Sequence, residues 1–173
     1  MAIRWANRAD ATGIADVHIN SWKSAYRNLV PYAYLDSLSP QKSIEKWTDY
    51  LEKTGLEDFC FVSVDDLNRV VGFISGGPNR NPDDGYDGEI YALYLLKEFQ
   101  RRGIGKALFR KGANWLADRN YDSLILWVLK ENTAVHFYEA LGGKTLREKK
   151  VEIGGAQIVG ISYVWKNIKD IAT

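Results

Sequence analysis

The residue pattern predicts a mixed α/β fold, one sheet with helices on its faces. Two observations predict it. Before Phe59 the apolar residues recur at helical spacing, and after it β-rich runs alternate with helical patterns. Clusters of Gly and Pro, among them Gly76-Gly77-Pro78, Gly142-Gly143 and Gly154-Gly155, separate these runs. The expected order is β-α-α-β-β-β-α-β-α-β-β.

A short strand, Ile3 to Ala6, opens the chain. A helix is expected from Asp10, a residue type that caps helix starts, because Ile14, Val17, His18, Trp22 and Ala25 share one helical face. Pro31 and Pro40 punctuate the next stretch, with short helical pieces at Tyr32 to Leu38 and Gln41 to Lys53. Phe59 to Val64 and Val70 to Ser75 read as strands around the hairpin signal Asp65-Asp66-Leu67-Asn68. Gly76 to Gly88 reads as loop, and Glu89 to about Leu95 as strand. Gly103 to about Arg119 has a helical stripe of Ile104, Ala107, Leu108, Trp115 and Leu116. Leu124 to Leu129 is a continuous apolar run suited to a buried strand. Asn132 to Leu141 is a short helix. Lys144 to Ile153 and Ala156 to Lys166 are final strands joined by a tight turn at Gly154-Gly155.

The 173 residues suit one domain, 1–173, without repeat or linker. Lys and Arg number 23 against 22 Asp and Glu. A net charge of +1 lacks the basic excess of a nucleic-acid binder. The aromatic share of 13% argues against disorder. The one cysteine, Cys60, lies in an apolar run and reads as a small buried hydrophobe; no internal disulfide is expected. No Cys/His cluster has zinc spacing, so no metal is expected. The first residues lack an apolar signal region, and the longest apolar run, Ile90 to Leu96, is far short of the ~18 residues of a membrane span. A cytoplasmic protein without membrane partners is the expectation.

The sharpest local feature is Gln100-Arg101-Arg102-Gly103-Ile104-Gly105-Lys106-Ala107, between a strand and a helix. Free N–H groups and the dipole of a helix start favour an anion. Gly103 and Gly105 permit close backbone approach, and Arg101, Arg102 and Lys106 add positive charge. The set suits a phosphate or pyrophosphate. A Walker loop is excluded, because one residue separates the glycines and Ala107 follows Lys106. A dinucleotide fingerprint would need Gly or Ala where Leu108 stands.

The run Glu89-Ile90-Tyr91-Ala92-Leu93-Tyr94-Leu95, followed by Gln100 to Leu108, resembles the acetyl-CoA motif of the GNAT superfamily of N-acetyltransferases. Asn132-Thr133-Ala134-Val135-His136-Phe137-Tyr138-Glu139-Ala140-Leu141-Gly142 is similar to that family's Asn-x-x-Ala-x-x-x-Tyr-x-x-x-Gly segment. The resemblance implies a largely antiparallel sheet of about seven strands with about four helices. It implies acetyl-CoA as co-substrate and direct transfer to an amine in a ternary complex.

That chemistry needs an amine that loses a proton, donors for an oxyanion and a proton for the leaving thiolate. By resemblance, backbone groups of Leu93, Tyr94 and Leu95 hold the pantetheine arm, although Leu93 and Leu95 would serve equally as core. Gln100, Arg101, Arg102, Gly103, Ile104, Gly105 and Lys106 would hold the pyrophosphate. Tyr138 matches the general acid, or is a tyrosine packed on the sheet. Asn132 contacts the CoA arm, caps its helix, or does both. Glu89 is the candidate base, or a solvated strand-start glutamate. Some protein N-terminal acetyltransferases of the family place the base on the next strand, where this chain has Trp127. His136 reads as a surface residue and His18 as half-buried.

The resemblance assigns acceptor choice to the N-terminal helices, the Gly76–Gly88 loop and the final hairpin. Trp22, Tyr26 and Tyr86 are the candidate acceptor contacts, for a cationic or apolar group. Core packing would also explain Trp22 and Trp47. Asp83, Asp84 and Asp87 would attract a cation or form a solvated turn. The expected acceptor is a small amine or amino acid. The alternatives are a protein N-terminus or lysine, or a non-catalytic CoA-binding regulatory module. A homodimer pairing its C-terminal strands at an edge is compatible with the family.

Overall fold

The computed structural model describes residues 1–172. Seven strands form one sheet: β1 Ala2–Trp5, β2 Phe59–Val64, β3 Val70–Pro78, β4 Gly88–Leu95, β5 Leu124–Leu129, β6 Lys144–Ile153 and β7 Ala156–Trp165, in the spatial order β1-β2-β3-β4-β5-β7-β6. All neighbours are antiparallel except β4 and β5. The expected mixed, largely antiparallel sheet is therefore present. The helices are α1 Ala11–Ala25, α2 Tyr32–Asp36, α3 Pro40–Lys53, α4 Ile104–Ala117, α5 Ala134–Ala140 and α6 Lys169–Ala172. Helix α6 is absent from the expected order, because it is too short to show a period.

The sheet's two faces carry separate cores. On one face α4 packs Ile104, Leu108, Phe109 and Leu116 against Phe59, Ile74, Ile90 and Leu126. On the other, Ile14, Val17 and Trp47 of α1 and α3 meet Cys60, Val62 and Phe73. Every residue of β2 is buried, which explains its unbroken apolar run. Burial also pushes the Cys60 thiol up, so it stays an inert hydrophobe.

Two boundaries depart from expectation. Asp10 does not cap α1 with its side chain. Instead Asn7 and Asp10 form a capping box on a preceding 3-10 turn, and Arg4 donates two hydrogen bonds to Asp10, at 2.7 and 2.8 Å. Second, β3 continues through Gly76-Gly77-Pro78. A Cβ on Gly76 would lie 2.5 Å from the Glu89 carbonyl and 2.7 Å from the Phe59 ring, so the glycine serves close strand approach and not a turn. At that point the register shifts: Ser75 faces Ala92 and Gly76 faces Ile90, leaving Tyr91 as the extra residue of a bulge.

β6 is an edge strand bearing Lys144, Arg147, Lys149 and Lys150. Such charges oppose the pairing of two copies along this edge. Among the described residues, no helix is long and apolar enough to cross a membrane.

Candidate active site

β4 and β5 pair only at Gly88–Leu124, Glu89–Ile125 and Ile90–Leu126. Beyond Ile90, β4 stays with β3 and β5 stays with β7. The strands therefore part, and a cleft of about 1080 Å³ opens between them. Its lining includes Ile90 to Leu95 of β4, Leu126 to Val128 of β5, the end of α1 from Ser21 to Tyr26 without Trp22 and Lys23, the loop before α4, and α5.

At one end the loop turns on two left-handed residues, Arg101 (φ 59°) and Gly103 (φ 79°). The first bond of α4 runs from the Ala107 N–H to the Gly103 carbonyl, at 3.0 Å. The N–H groups of Ile104, Gly105 and Lys106 precede it, and no side chain caps them. Gln100, Arg101, Gly103, Gly105 and Lys106 line the cleft. Gln100 Nε2 donates to the Leu95 carbonyl at 3.1 Å, tying the strand end to the loop. Arg102 and Ile104 do not line it. Arg102 lies against the Phe99 ring beside a separate small hollow with Ile3, and Ile104 is core.

Tyr138 projects from α5 into the middle of the cleft and is 7% exposed. Its ring packs on Phe109, Phe137 and Tyr163. Among the described residues its hydroxyl has no hydrogen-bond partner. Burial, and secondarily the Tyr26 phenol, raise its pKa above that of an ordinary phenol, so it holds its proton. Asn132 Oδ1 accepts from the Ala134 N–H at 3.0 Å at the start of α5, and its Nδ2 donates to the Tyr26 hydroxyl at 3.4 Å.

The wall opposite is a chain of polar aromatics. Trp22 Nε1 donates to the Tyr94 hydroxyl at 2.9 Å, and the Trp22 ring packs edge-on against Tyr26. Trp22 thus stands behind the wall, and Tyr26 and Tyr94 form it. Tyr94, Ala92 and His18 lie on the α1 side of the sheet, whereas Leu93 and Leu95 pack toward α4. His18 is enclosed by Trp22, Trp47, Phe73 and Tyr94, and burial with nearby Lys46 lowers its pKa to about 4.

Further expected contacts lie elsewhere. Glu89 is off the cleft lining and its side chain is only 6% exposed. It accepts from the Arg80 N–H at 2.9 Å, Nε at 3.1 Å and Nη2 at 2.6 Å, so direct contact with an acceptor amine is blocked. Tyr86 is half-buried in its loop and does not reach the cleft; its carbonyl accepts from Asn79. Of the loop acids, Asp84 pairs with Arg147, and Asp87 accepts from Asp122 and Ser123, so these two serve loop structure.

One residue escapes sequence reasoning. Ser21 lines the cleft at 9% exposure, and its Oγ is buried without a hydrogen-bond partner. The available signal is a polar residue on the stripe of Ile14, Val17 and Ala25. Among the described residues no group of three or more His, Cys, Asp or Glu is placed to hold a metal ion.

The family model described as the acetyltransferase (GNAT) family matches residues 20–143. An uncharacterized N-acetyltransferase, YuaI of Bacillus subtilis (strain 168), is 36% identical over 173 residues, which is 100% of this chain and 97% of the relative. An uncharacterized N-acetyltransferase of Archaeoglobus fulgidus is 32% identical over 141 residues, 80% of this chain and 89% of the relative. Among solved structures, PaiA N-acetyltransferase from Thermoplasma acidophilum in complex with coenzyme A has a TM-score of 0.72 at 20% identity, covering 95% of this chain and 98% of that one. The putative acetyltransferase yncA from Salmonella typhimurium, with its cofactor acetyl-CoA, has a TM-score of 0.70 at 17% identity, covering 96% and 93%.

Proposed function

The chain belongs to the GNAT acetyltransferase family, and on that premise we propose that it moves an acetyl group from acetyl-CoA to a primary amine of a small molecule, an amine or amino acid, by direct transfer in a ternary complex, in the cytoplasm. The observation that carries the proposal is one cleft holding both an uncapped α4 N-terminus and an unbonded, protonated Tyr138.

The cleft fits the donor. The N–H groups of Ile104, Gly105 and Lys106 favour the pyrophosphate, with Arg101 and Lys106 adding charge. Gly105 leaves bare backbone at the start of α4 beside the cleft, where a Cβ would sit at an ordinary 3.6 Å from the Phe137 ring. The backbone of Leu93, Tyr94 and Leu95, unpaired on the β5 side, holds the pantetheine arm. Acetyl-CoA supplies an activated acyl group and a thiol leaving group.

Tyr138 donates its phenolic proton to the departing sulfur. Among the described residues its hydroxyl has no protein acceptor, which leaves that proton available to the sulfur. Asn132 fixes the start of α5, and with it the placement of Tyr138. Glu89 lies on the same side of β4 as Tyr94 and receives the amine's proton at one remove, through water. Glu89→Gln then lowers kcat while retaining acetyl-CoA affinity; unchanged kcat leaves Glu89 as a tie for the Arg80 loop alone.

The test is a panel of amines, amino acids, aminoglycosides and short peptides with acetyl-CoA, monitored for free thiol. Amine-dependent thiol release with a small amine or amino acid supports the proposal. Release with peptides alone would refute the small-molecule acceptor, and binding without release would make the protein a module and not an enzyme.

A further inference from the structure

We infer that Trp127, Lys149 and Arg147 form a carboxylate-binding subsite at the edge of the cleft, and that the acceptor is an amino acid whose carboxylate lies against these cations. The inference rests on the acetyl-transfer reading and names the substrate class of the same cleft.

Trp127 lines the cleft on β5 and is half-buried. Its neighbours Leu126 and Val128 belong to the α4 core, so its side chain points to the other face of the sheet, the face of Tyr26 and Tyr94. Two cations stand over the indole. Lys149 Nζ is 3.9 Å from the ring centre and the Arg147 guanidinium carbon 5.3 Å. Both come from exposed positions of β6, and neither belongs to the loop assigned to the pyrophosphate.

A bulge puts them there. Thr145 faces Tyr163 and Glu148 faces Ile161, so β6 carries one residue more than β7 between these pairs. Tyr163 and Ile161 both belong to the α4 core, which leaves Arg147 and Lys149 on the α1 face. Without the extra residue the alternation would reverse, and Glu148 and Lys150 would take that face. Two further contacts pin Arg147. Ser162 Oγ accepts from its N–H and donates to its carbonyl, both at 3.2 Å, and Ser162 is the register partner of Trp127. Asp84, with a side chain 4% exposed, pairs with the guanidinium.

The charges do not cancel. Asp84 answers Arg147, and Glu148 pairs with Lys130. Among the described residues Lys149 has no ion pair and no side-chain hydrogen bond, so it keeps three N–H donors for an anion. One unanswered cation matches one carboxylate. An amine that reaches the thioester from the α1 face passes along Trp127, which brings a carboxylate on the same molecule to Lys149.

The test measures kcat/KM at saturating acetyl-CoA for glycine, β-alanine and 4-aminobutyrate, each against its amide. Acid and amide differ in amine pKa, so the readout is the change in the acid-to-amide ratio between proteins. Lys149→Gln should lower that ratio by roughly 3- to 10-fold for at least one pair, the worth of one charge-assisted hydrogen bond discounted for exposure. Lys149→Arg should keep it within about twofold of wild type, which a loss of packing alone would not produce. High salt should lower the wild-type ratio in the same direction, with no variant needed. A ratio that neither Lys149→Gln nor salt changes, an equal fall in Lys149→Gln and Lys149→Arg, or no turnover of any acid overturns the inference. The melting-temperature rise on adding acetyl-CoA separates the two layers. If it is absent, the acetyl-transfer reading fails; if it is present with an unchanged ratio, only the carboxylate subsite fails.

Discussion

Replacing Tyr138 with Phe removes one oxygen from the middle of the cleft and little else. The ring is 7% exposed, with centroids 6.3 Å from Phe109, 5.3 Å from Phe137 and 6.0 Å from Tyr163, and Phe keeps all three contacts. The hydroxyl has no protein partner among the described residues, so its loss leaves no donor or acceptor unsatisfied. Stability should stay within about 0.5 kcal/mol of wild type, as for substitutions that break no named interaction. Catalysis should respond very differently. Loss of a positioned general acid costs about 100-fold or more in kcat, equivalent to about 2.7 kcal/mol of barrier. Because burial and then Tyr26 raise the Tyr138 pKa, the wild-type acid stays protonated beyond the ordinary phenol range, and its kcat should show no alkaline loss below about pH 10. Steady-state thiol release across pH, paired with thermal melts, checks both halves. A variant of unchanged melting temperature and a kcat within about threefold of wild type would refute the acid role.

Packing and burial elsewhere in the molecule set three further outcomes. Gly105→Ala should raise the melting temperature, since Ala is favoured over Gly in helices by about 1 kcal/mol and its Cβ would sit at an ordinary 3.6 Å from Phe137; acetyl-CoA affinity by calorimetry should fall. Gly112→Ala on the same helix should instead destabilise by about 1–3 kcal/mol in denaturant melts, because its Cβ would fall 2.9 Å from Phe59 and 3.0 Å from Ile74. His18, with its pKa lowered from 6.5 to about 4 by burial and Lys46, binds its proton more readily when unfolded. Its contribution, up to about 3 kcal/mol, is therefore complete above pH 6.5 and lost as pH falls toward 4. Urea melts between those pH values should show this slope, and His18→Phe should flatten it.

What was legible in the sequence is what depends on local order. Gln100 to Lys106 and Asn132 to Tyr138 are contiguous, and short segments fix their own turns, caps and helix faces. The same holds for β2 and β5, each marked by its own apolar run, and for β6 and β7, marked by the Gly154-Gly155 turn between them. What was not legible depends on partners distant in the chain. Glu89 reads as an available base until Arg80 folds onto it. Trp22 reads as core or acceptor contact, and is a donor to Tyr94, far along the chain. Gly76 reads as a turn until Phe59 and Glu89 are seen against it. Ser21 is a single polar break in a helical stripe, and only the surrounding wall shows its hydroxyl unbonded.

The central claim is that acetyl-CoA lies in the gap between β4 and β5, with its phosphates on the start of α4. Hydrogen–deuterium exchange with and without acetyl-CoA tests it most directly. Slowed exchange at the amides of Leu93 to Leu95 and Gly103 to Lys106, with β6 unchanged, is the predicted result. Unaltered exchange at both segments with the site saturated, or protection confined to other elements, would contradict it.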